Sequence, residues 1–284
     1  MPGRSVARME GESLRRFPHP ALRAYVDPYI GYRHHAPVPG RHRGMPSDRL
    51  TVVIAFEEPI DLAWHGHEET RGRYWGLASG LHSVPVDIRH DGLQHGLQLG
   101  LTPLGCRALL GVPAADLARA MVSLDELLPL PAYDELVGAT WEERFAVLDR
   151  ALLAAVVAHA PARLPHPELE RAWSLVERTG GTARVADLAA AVGWSRRRLG
   201  GRFRAEFGLT PKEAARVTRF DRSRQRVAAG LPLAEVAAVS GYVDQPHLNR
   251  EWREISGYSP REYLRAERPF VQDPASPIAA VSIP

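Results

Sequence analysis

The sequence has one cysteine, Cys106, and one lysine, Lys212. A single thiol excludes an internal disulfide and a multi-cysteine zinc site. Cys106 sits in Thr102-Pro-Leu-Gly-Cys-Arg, which has the form of a helix start, so a small buried residue is expected there rather than a redox sensor. No long apolar run is present either. The most apolar stretch, Ala151 to Ala160, is too short to span a bilayer. The first ten residues are charged and lack the apolar core of a secretory signal, so a cytoplasmic protein is expected. No phosphate-binding glycine loop and no nucleophile-plus-base motif occurs. Neither a catalytic residue nor a cofactor is therefore expected, and the chain is not read as an enzyme.

What is present is a folded composition and an uneven charge. With 284 residues, 45% of them hydrophobic and 24% charged, the chain is long enough for two domains. The net charge is only +3, yet residues 168–270 hold 19 of the 36 basic residues and 13 of the 33 acidic ones, a local net of +6. The remainder is net −3. A basic module of this kind suits a polyanion. Nearly all of its positive charge is arginine, which grips phosphate or guanine through paired hydrogen bonds.

The basic region carries a repeat. Ala186-Asp-Leu-Ala-Ala-Ala-Val-Gly-Trp194 is matched by Ala234-Glu-Val-Ala-Ala-Val-Ser-Gly-Tyr242. Each copy continues into a polar helix with apolar residues four apart, Leu199 and Phe203, then Leu248 and Trp252. Each closes on Gly-x-Thr/Ser-Pro-x-Glu, from Gly208 to Glu213 and from Gly257 to Glu262. Gly193 and Gly241 suit tight turns needing a left-handed backbone. Ser195 and Asp244 stand where N-caps belong. Thr210 with Glu213, and Ser259 with Glu262, form capping boxes with Pro at the first helical position. A helix, a glycine turn and a second helix with one polar face is the helix-turn-helix plan, whose second helix enters the DNA major groove.

At 100° per residue, Leu248, Trp252 and Ile255 make one inward stripe. Arg250 and Arg253 point outward, with Gln245, His247 and Asn249 near the helix start. Gln245, His247, Asn249 and Arg250 are the candidate base readers, since Gln and Asn pair with adenine and Arg with guanine. In the first copy Leu199 points inward, and Arg197, Gly201 and Arg204 point outward with Arg196, Arg198 and Gly200 at the margins. Arginines 196, 197, 198 and 204 are expected to hold phosphates, and the glycines to let this helix sit close to the duplex.

These residues make the region around 170–268 resemble the DNA-binding domain of the AraC/XylS family of bacterial transcription regulators. The more specific part is Gly241-Tyr-Val-Asp-Gln-Pro-His-Leu-Asn-Arg-Glu-Trp-Arg-Glu-Ile-Ser-Gly-Tyr-Ser-Pro-Arg-Glu-Tyr263. Tyr242, Leu248 and Trp252 stand where family members often have Phe, and Gly200 and Gly201 where they often have polar residues. The resemblance implies a seven-helix domain, two recognition helices in successive major grooves of double-stranded DNA, and recruitment of RNA polymerase. The segments 18–26 (Pro-His-Pro-Ala-Leu-Arg-Ala-Tyr-Val) and 89–105 are similar to the first domain of actinobacterial AraC-like regulators. The family implies for such a domain a small-molecule effector or homodimer formation.

The expected fold class is therefore α+β: a mostly-β amino-terminal domain with helices, then an all-α domain of two tandem helix-turn-helix motifs. The expected divisions are a sensory or dimerisation domain over 1–159, a linker over 160–167, the DNA-binding domain over 168–268 and a disordered tail over 269–284. Within the first, residues 1–16 read as a loose polar start. Strands are expected at Leu50–Phe56, Tyr74–Leu77, Val84–Ile88 and Leu93–Leu101. Helices are expected at Leu104–Leu110, Ala114–Leu128 and about Thr140–Ala158. The last has an apolar stripe from Trp141 to Val156 that packs either on its own domain or on a second copy.

Nine of the twelve histidines lie in the first hundred residues. His65-Gly66-His67 with Glu68 and Glu69 raises the alternative of a cupin-like metal enzyme or sensor fused to a DNA-binding module. A cupin-type site wants an acid a few residues on, where Arg71 and Gly72 stand, so a polar hairpin loop and no metal are expected. His90 and His95 flank a turn at Asp91-Gly92 and read as packing residues.

Overall fold

The computed structural model describes residues 10–128, 133–160, 166–267 and 281–282. Its amino-terminal part is built of strands β1 (Glu10–Arg16), β2 (Tyr29–His35), β3 (Gly40–Gly44), β4 (Leu50–Ala55), β5 (Ile60–Trp64), β6 (His67–Tyr74), β7 (Gly76–Ser79), β8 (Val86–His90), β9 (Leu93–Leu101) and β10 (Met121–Ser123), with helices α1 (Pro103–Leu110), α2 (Tyr133–Gly138) and α3 (Trp141–His159). A two-residue strand, β11 (Val281–Ser282), runs parallel to β1. One sheet has the order β10-β7-β4-β9-β2-β1-β11 and the other β3-β8-β5-β6. The carboxy-terminal part holds α4 (Pro167–Arg178), α5 (Val185–Ala191), α6 (Arg196–Phe207), α7 (Pro211–Ala228), α8 (Leu233–Val239), α9 (Gln245–Ser256) and α10 (Pro260–Ala266). The mostly-β then all-α arrangement is the expected fold class.

Several local expectations are corrected. The polar start from residue 10 is a strand, because Glu10–Arg16 pairs along its whole length with β2. Residues 1–9 lie outside the described residues. The run Tyr74–Leu77 is not one strand. It straddles a bend at Trp75, where the chain leaves β6 in one sheet and enters β7 in the other. The helix expected over Ala114–Leu128 is broken into a 3-10 turn (Ala114–Leu117), β10 and a second 3-10 turn (Leu124–Glu126). Two features break it: Arg119 takes a φ of 57°, and Met121–Ser123 pairs with β7 at the sheet edge. The proposed linker has residues 161–165 outside the described residues, and the proposed tail lies outside them except for Val281 and Ser282.

Other features follow their local chemistry. Thr140 and Glu143 close a capping box at the start of α3. Phe145, Leu148 and Leu152 of that helix are buried in the protein's own core, and Trp141 and Val156 pack against it. Cys106 is fully buried in α1 and its thiol is pushed up to about 12 by burial, so it carries no thiolate at neutral pH. His65 and Gly66 form the turn between β5 and β6, with Gly66 at φ 80°. The Nδ1 of His65 bonds Asp87 Oδ2 at 2.9 Å. His90 packs beside His42, and His95 packs edge-on against Phe56 and Trp141. Among the described residues no three His, Cys, Asp or Glu side chains converge as a metal site. No helix among them is long and apolar enough to cross a membrane.

The hydrophobic core does not stop at the end of the β-rich part. Leu97, Leu99 and Leu101 of β9 belong to one continuous cluster with Trp173, Phe203 and Phe207 of α4 and α6. The second helix-turn-helix motif has its own cluster around Phe220, Leu248, Trp252 and Tyr263. Charged pairs tie the halves together. Arg107 of α1 holds Glu206 of α6 through two bonds of 2.6 and 2.8 Å. Arg49, just before β4, reaches Glu177 of α4 at 2.6 Å. The guanidinium of Arg43 donates to the Ser256 carbonyl at 2.9 Å, and the Arg43 backbone N–H donates to Glu267 at 3.0 Å.

Candidate nucleic-acid interface

The two motifs are set by the same local devices. Gly193 and Gly241 take φ of 68° and 77° in the turns. Ser195 accepts the Arg198 N–H at 3.2 Å and so caps α6. Asp244 accepts the His247 N–H at 2.7 Å and caps α9. Gly208 and Gly257 end these helices in the left-handed conformation. Thr210–Glu213 and Ser259–Glu262 are both closed capping boxes.

The helix faces divide as the periodicity requires. Leu248, Trp252 and Ile255 are buried, while Arg250 and Arg253 are exposed. On α6 Leu199, Phe203 and Phe207 are buried, and Arg196, Arg197, Arg198, Arg202 and Arg204 are exposed. Of these, Arg198 lies 4.6 Å over the ring of Trp194. Arg253 is drawn toward Glu262 at 3.6 Å. Gln245 is half-exposed at the start of α9. Asn249 is half-buried, and its carboxamide oxygen has no partner among the described residues. His247 turns its ring back: Nδ1 accepts the Val243 N–H at 3.3 Å and the ring meets Tyr242 edge-on at 5.3 Å. The neutral ring then carries its proton on Nε2.

Sequence reasoning passed over Arg202 and the groups that seat α9. Glu251, almost wholly buried, accepts from Arg219 of α7 at 2.8 and 3.0 Å and from Arg216 at 3.3 Å. The indole of Trp252 donates to Ser223 of α7 at 2.8 Å. A buried carboxylate needs such partners. The signal was available: Glu251 follows Arg250 into the inward half of the helical wheel, where an acid requires a cation from another element.

Gly200 and Gly201 have no steric duty inside the protein, since a Cβ at either meets nothing within 4 Å. Gly201→Ala is therefore expected to raise stability by about 1 kcal/mol and to weaken DNA binding through loss of close approach. Thermal unfolding and duplex titration check both halves. Tighter or unchanged DNA binding would exclude close approach as the reason for the glycines.

A helix-turn-helix domain model matches residues 188–266, which span the end of α5 through α10. The chain belongs to the AraC/XylS family. This AraC-type protein is a DNA-binding transcription regulator. Its fold is shared over nearly the whole chain with ToxT from Vibrio cholerae strain SCE256, solved with an unsaturated fatty acid bound. That structure is 12% identical, covers 94% of this chain and 98% of ToxT, and has a TM-score of 0.51. An apo structure of a single-site ToxT variant from the same strain is 13% identical over 84% of this chain and 97% of its own, with a TM-score of 0.52. A regulator with an AraC-type DNA-binding domain from Chromobacterium violaceum is 30% identical over 36% of this chain and 92% of its own, with a TM-score of 0.33. No curated protein matches the chain.

The AraC-type regulator also contains a cavity of about 570 Å³ between its two halves. Strand residues such as Ile88, Gln94 and Gln98 line one side, and Arg222, Gln225 and Tyr263 of α7 and α10 line the other.

Proposed function

We propose that the chain reads two successive major grooves on one side of a promoter, with α6 in one groove and α9 in the next, their centres about 34 Å apart. The observation that carries this reading is the pair of second helices, capped alike, each with its apolar stripe buried and an arginine-bearing face exposed. Arg250 and Gln245 are the principal base readers, with Asn249, His247 and Arg253 flanking them. Arg196, Arg197, Arg198 and Arg204 of α6 hold phosphates. A small-molecule effector fits the interdomain cavity, whose volume lies in the usual range for ligand sites. The ToxT complex with a fatty acid supports an effector of some kind. RNA polymerase and a second copy of the chain are the protein partners of this reading, the cytoplasm is its place, and no catalytic step belongs to it.

The test is selection of genomic fragments by the purified protein at physiological salt. One asymmetric motif with two blocks about a helical turn apart is expected. Recovery of sequence-blind DNA, with and without candidate effectors, would overturn the reading. On the selected site, Arg250→Ala is expected to relax one base pair at a cost of about 1–3 kcal/mol. Arg197→Ala is expected to weaken all sequences alike and to reduce the slope of log K against log salt by about 1. An Arg250→Ala protein with unchanged specificity would remove α9 from the role of reader.

A further inference from the structure

The two motifs differ by one residue, and that residue is apolar and exposed. Equivalent positions are 48 apart before the turn, as in Gly193 and Gly241 or Trp194 and Tyr242. They are 49 apart after it, as in Leu199 and Leu248 or Phe203 and Trp252. In the first motif the cap Ser195 follows Trp194 directly. In the second, Val243 stands between Tyr242 and the cap Asp244.

Val243 is 88% exposed, the most exposed large hydrophobic side chain among the described residues. It is nevertheless held. Its N–H is given to His247 Nδ1, the His247 ring rests on buried Tyr242, and the His247 N–H is given to Asp244. A β-branched side chain has few χ1 choices, so a fixed backbone also fixes where its methyl groups point. A single exposed valine is ordinary on a protein surface. This one stands two residues before Gln245, at the end of α9 where the base readers gather. A phosphate facing it would lose water and gain no hydrogen bond. The apolar group on the floor of the major groove is the C5-methyl of thymine.

We propose that Val243 is a specificity-determining residue that recognises a thymine by packing on its C5-methyl group. The inference rests on the reading of α9 as the helix in the major groove. It adds an apolar contact to the polar ones, at a position the first motif does not possess.

The experiment starts from the site selected by the full chain out of a randomised duplex pool. Each thymine in that site is replaced in turn by deoxyuridine, which removes only the methyl group, and binding is compared between the unaltered protein, Val243→Ala and Val243→Thr. One deoxyuridine is expected to weaken the unaltered protein about fourfold, the worth of one buried methyl-sized group. The same replacement should leave Val243→Ala unchanged and affect Val243→Thr less. Equal sensitivity of all three proteins at every position would overturn the proposal. So would a Val243→Ala protein that binds every duplex normally yet activates transcription poorly, because the residue would then face a protein. Arg250→Ala serves as the control. If it relaxes specificity while Val243→Ala does not couple to any thymine, α9 remains a reader and only the valine contact fails. Sequence-blind binding by the unaltered protein sinks both.

Discussion

Trp252→Ala is expected to cost about 3–5 kcal/mol of stability and to reduce binding at the selected site to the level of unrelated DNA. The indole is fully buried between Phe220 and Tyr263, at centroid distances of 5.1 and 5.5 Å, and its N–H holds Ser223 on α7. Deleting it opens a cavity in a cluster that is small and separate from the continuous core. A loss of this size is a large fraction of the roughly 5–15 kcal/mol that folded domains possess. The second motif should therefore melt before the rest of the chain. Thermal unfolding followed by hydrogen exchange should show α8 to α10 opening first, with β9, α3 and α6 protected as in the unaltered protein. A single transition at the unaltered midpoint would mean that the second cluster does not carry the motif. Trp252→Phe, which keeps most of the volume and loses the bond to Ser223, should fall between the two.

Glu267→Gln is expected to gain stability relative to the unaltered protein as pH rises from about 4 to 8, by about 3 kcal/mol across that window. Glu267 is buried at the end of α10, where it accepts the backbone N–H of Arg43 from β3. Burial pushes its carboxyl up to about 7, against the hydrogen bonds from Arg43 and Tyr258 and the Arg43 charge, which favour the ionised form. A carboxyl whose pKa is raised on folding binds its proton more tightly in the folded chain. Its contribution is therefore full below the ordinary carboxylate range and is lost as pH rises through that range toward 7. Glutamine stays neutral and escapes that loss. The comparison must be made between the two proteins, because His42 and His82 are held neutral by burial, at about 3 and about 4, and lower stability on the acid side in both. A difference between the proteins that does not change with pH would show that Glu267 titrates normally. Because the group joins the β-rich half to the second motif, the same window is where their contact should loosen.

The expectations that held are those carried by residues a few positions apart. Leu248, Trp252 and Ile255 lie on one face because a helix repeats every 3.6 residues. Thr210 finds Glu213, and Ser259 finds Glu262, within a single turn of chain. Gly193 and Gly241 mark turns because other residues are strained there. Strand β9 was legible over its full length because Leu97, Leu99 and Leu101 alternate inward.

What failed depended on partners distant in the chain. Glu10–Arg16 has little apolar pattern and is a strand only because β2 lies beside it. Strand β6, His67–Tyr74, is polar throughout because it is an exposed edge, so no alternation could reveal it. The Ala- and Leu-rich run after Pro113 favours a helix locally, but the edge of β7 takes Met121–Ser123 as a strand.

By itself, then, the sequence determined the helix-turn-helix grammar, the outward arginines and the family, since all three are written in local spacing and capping chemistry. Only the tertiary structure decided which charges are buried pairs. No local pattern names the partners of Glu206, Glu251 or Glu267: the first two are buried against arginine side chains from other elements, and Glu267 against the backbone N–H of Arg43. The reason is that a charge leaves water only when the fold delivers a counter-charge to it, and nothing within a few residues of these glutamates announces which arginine that is.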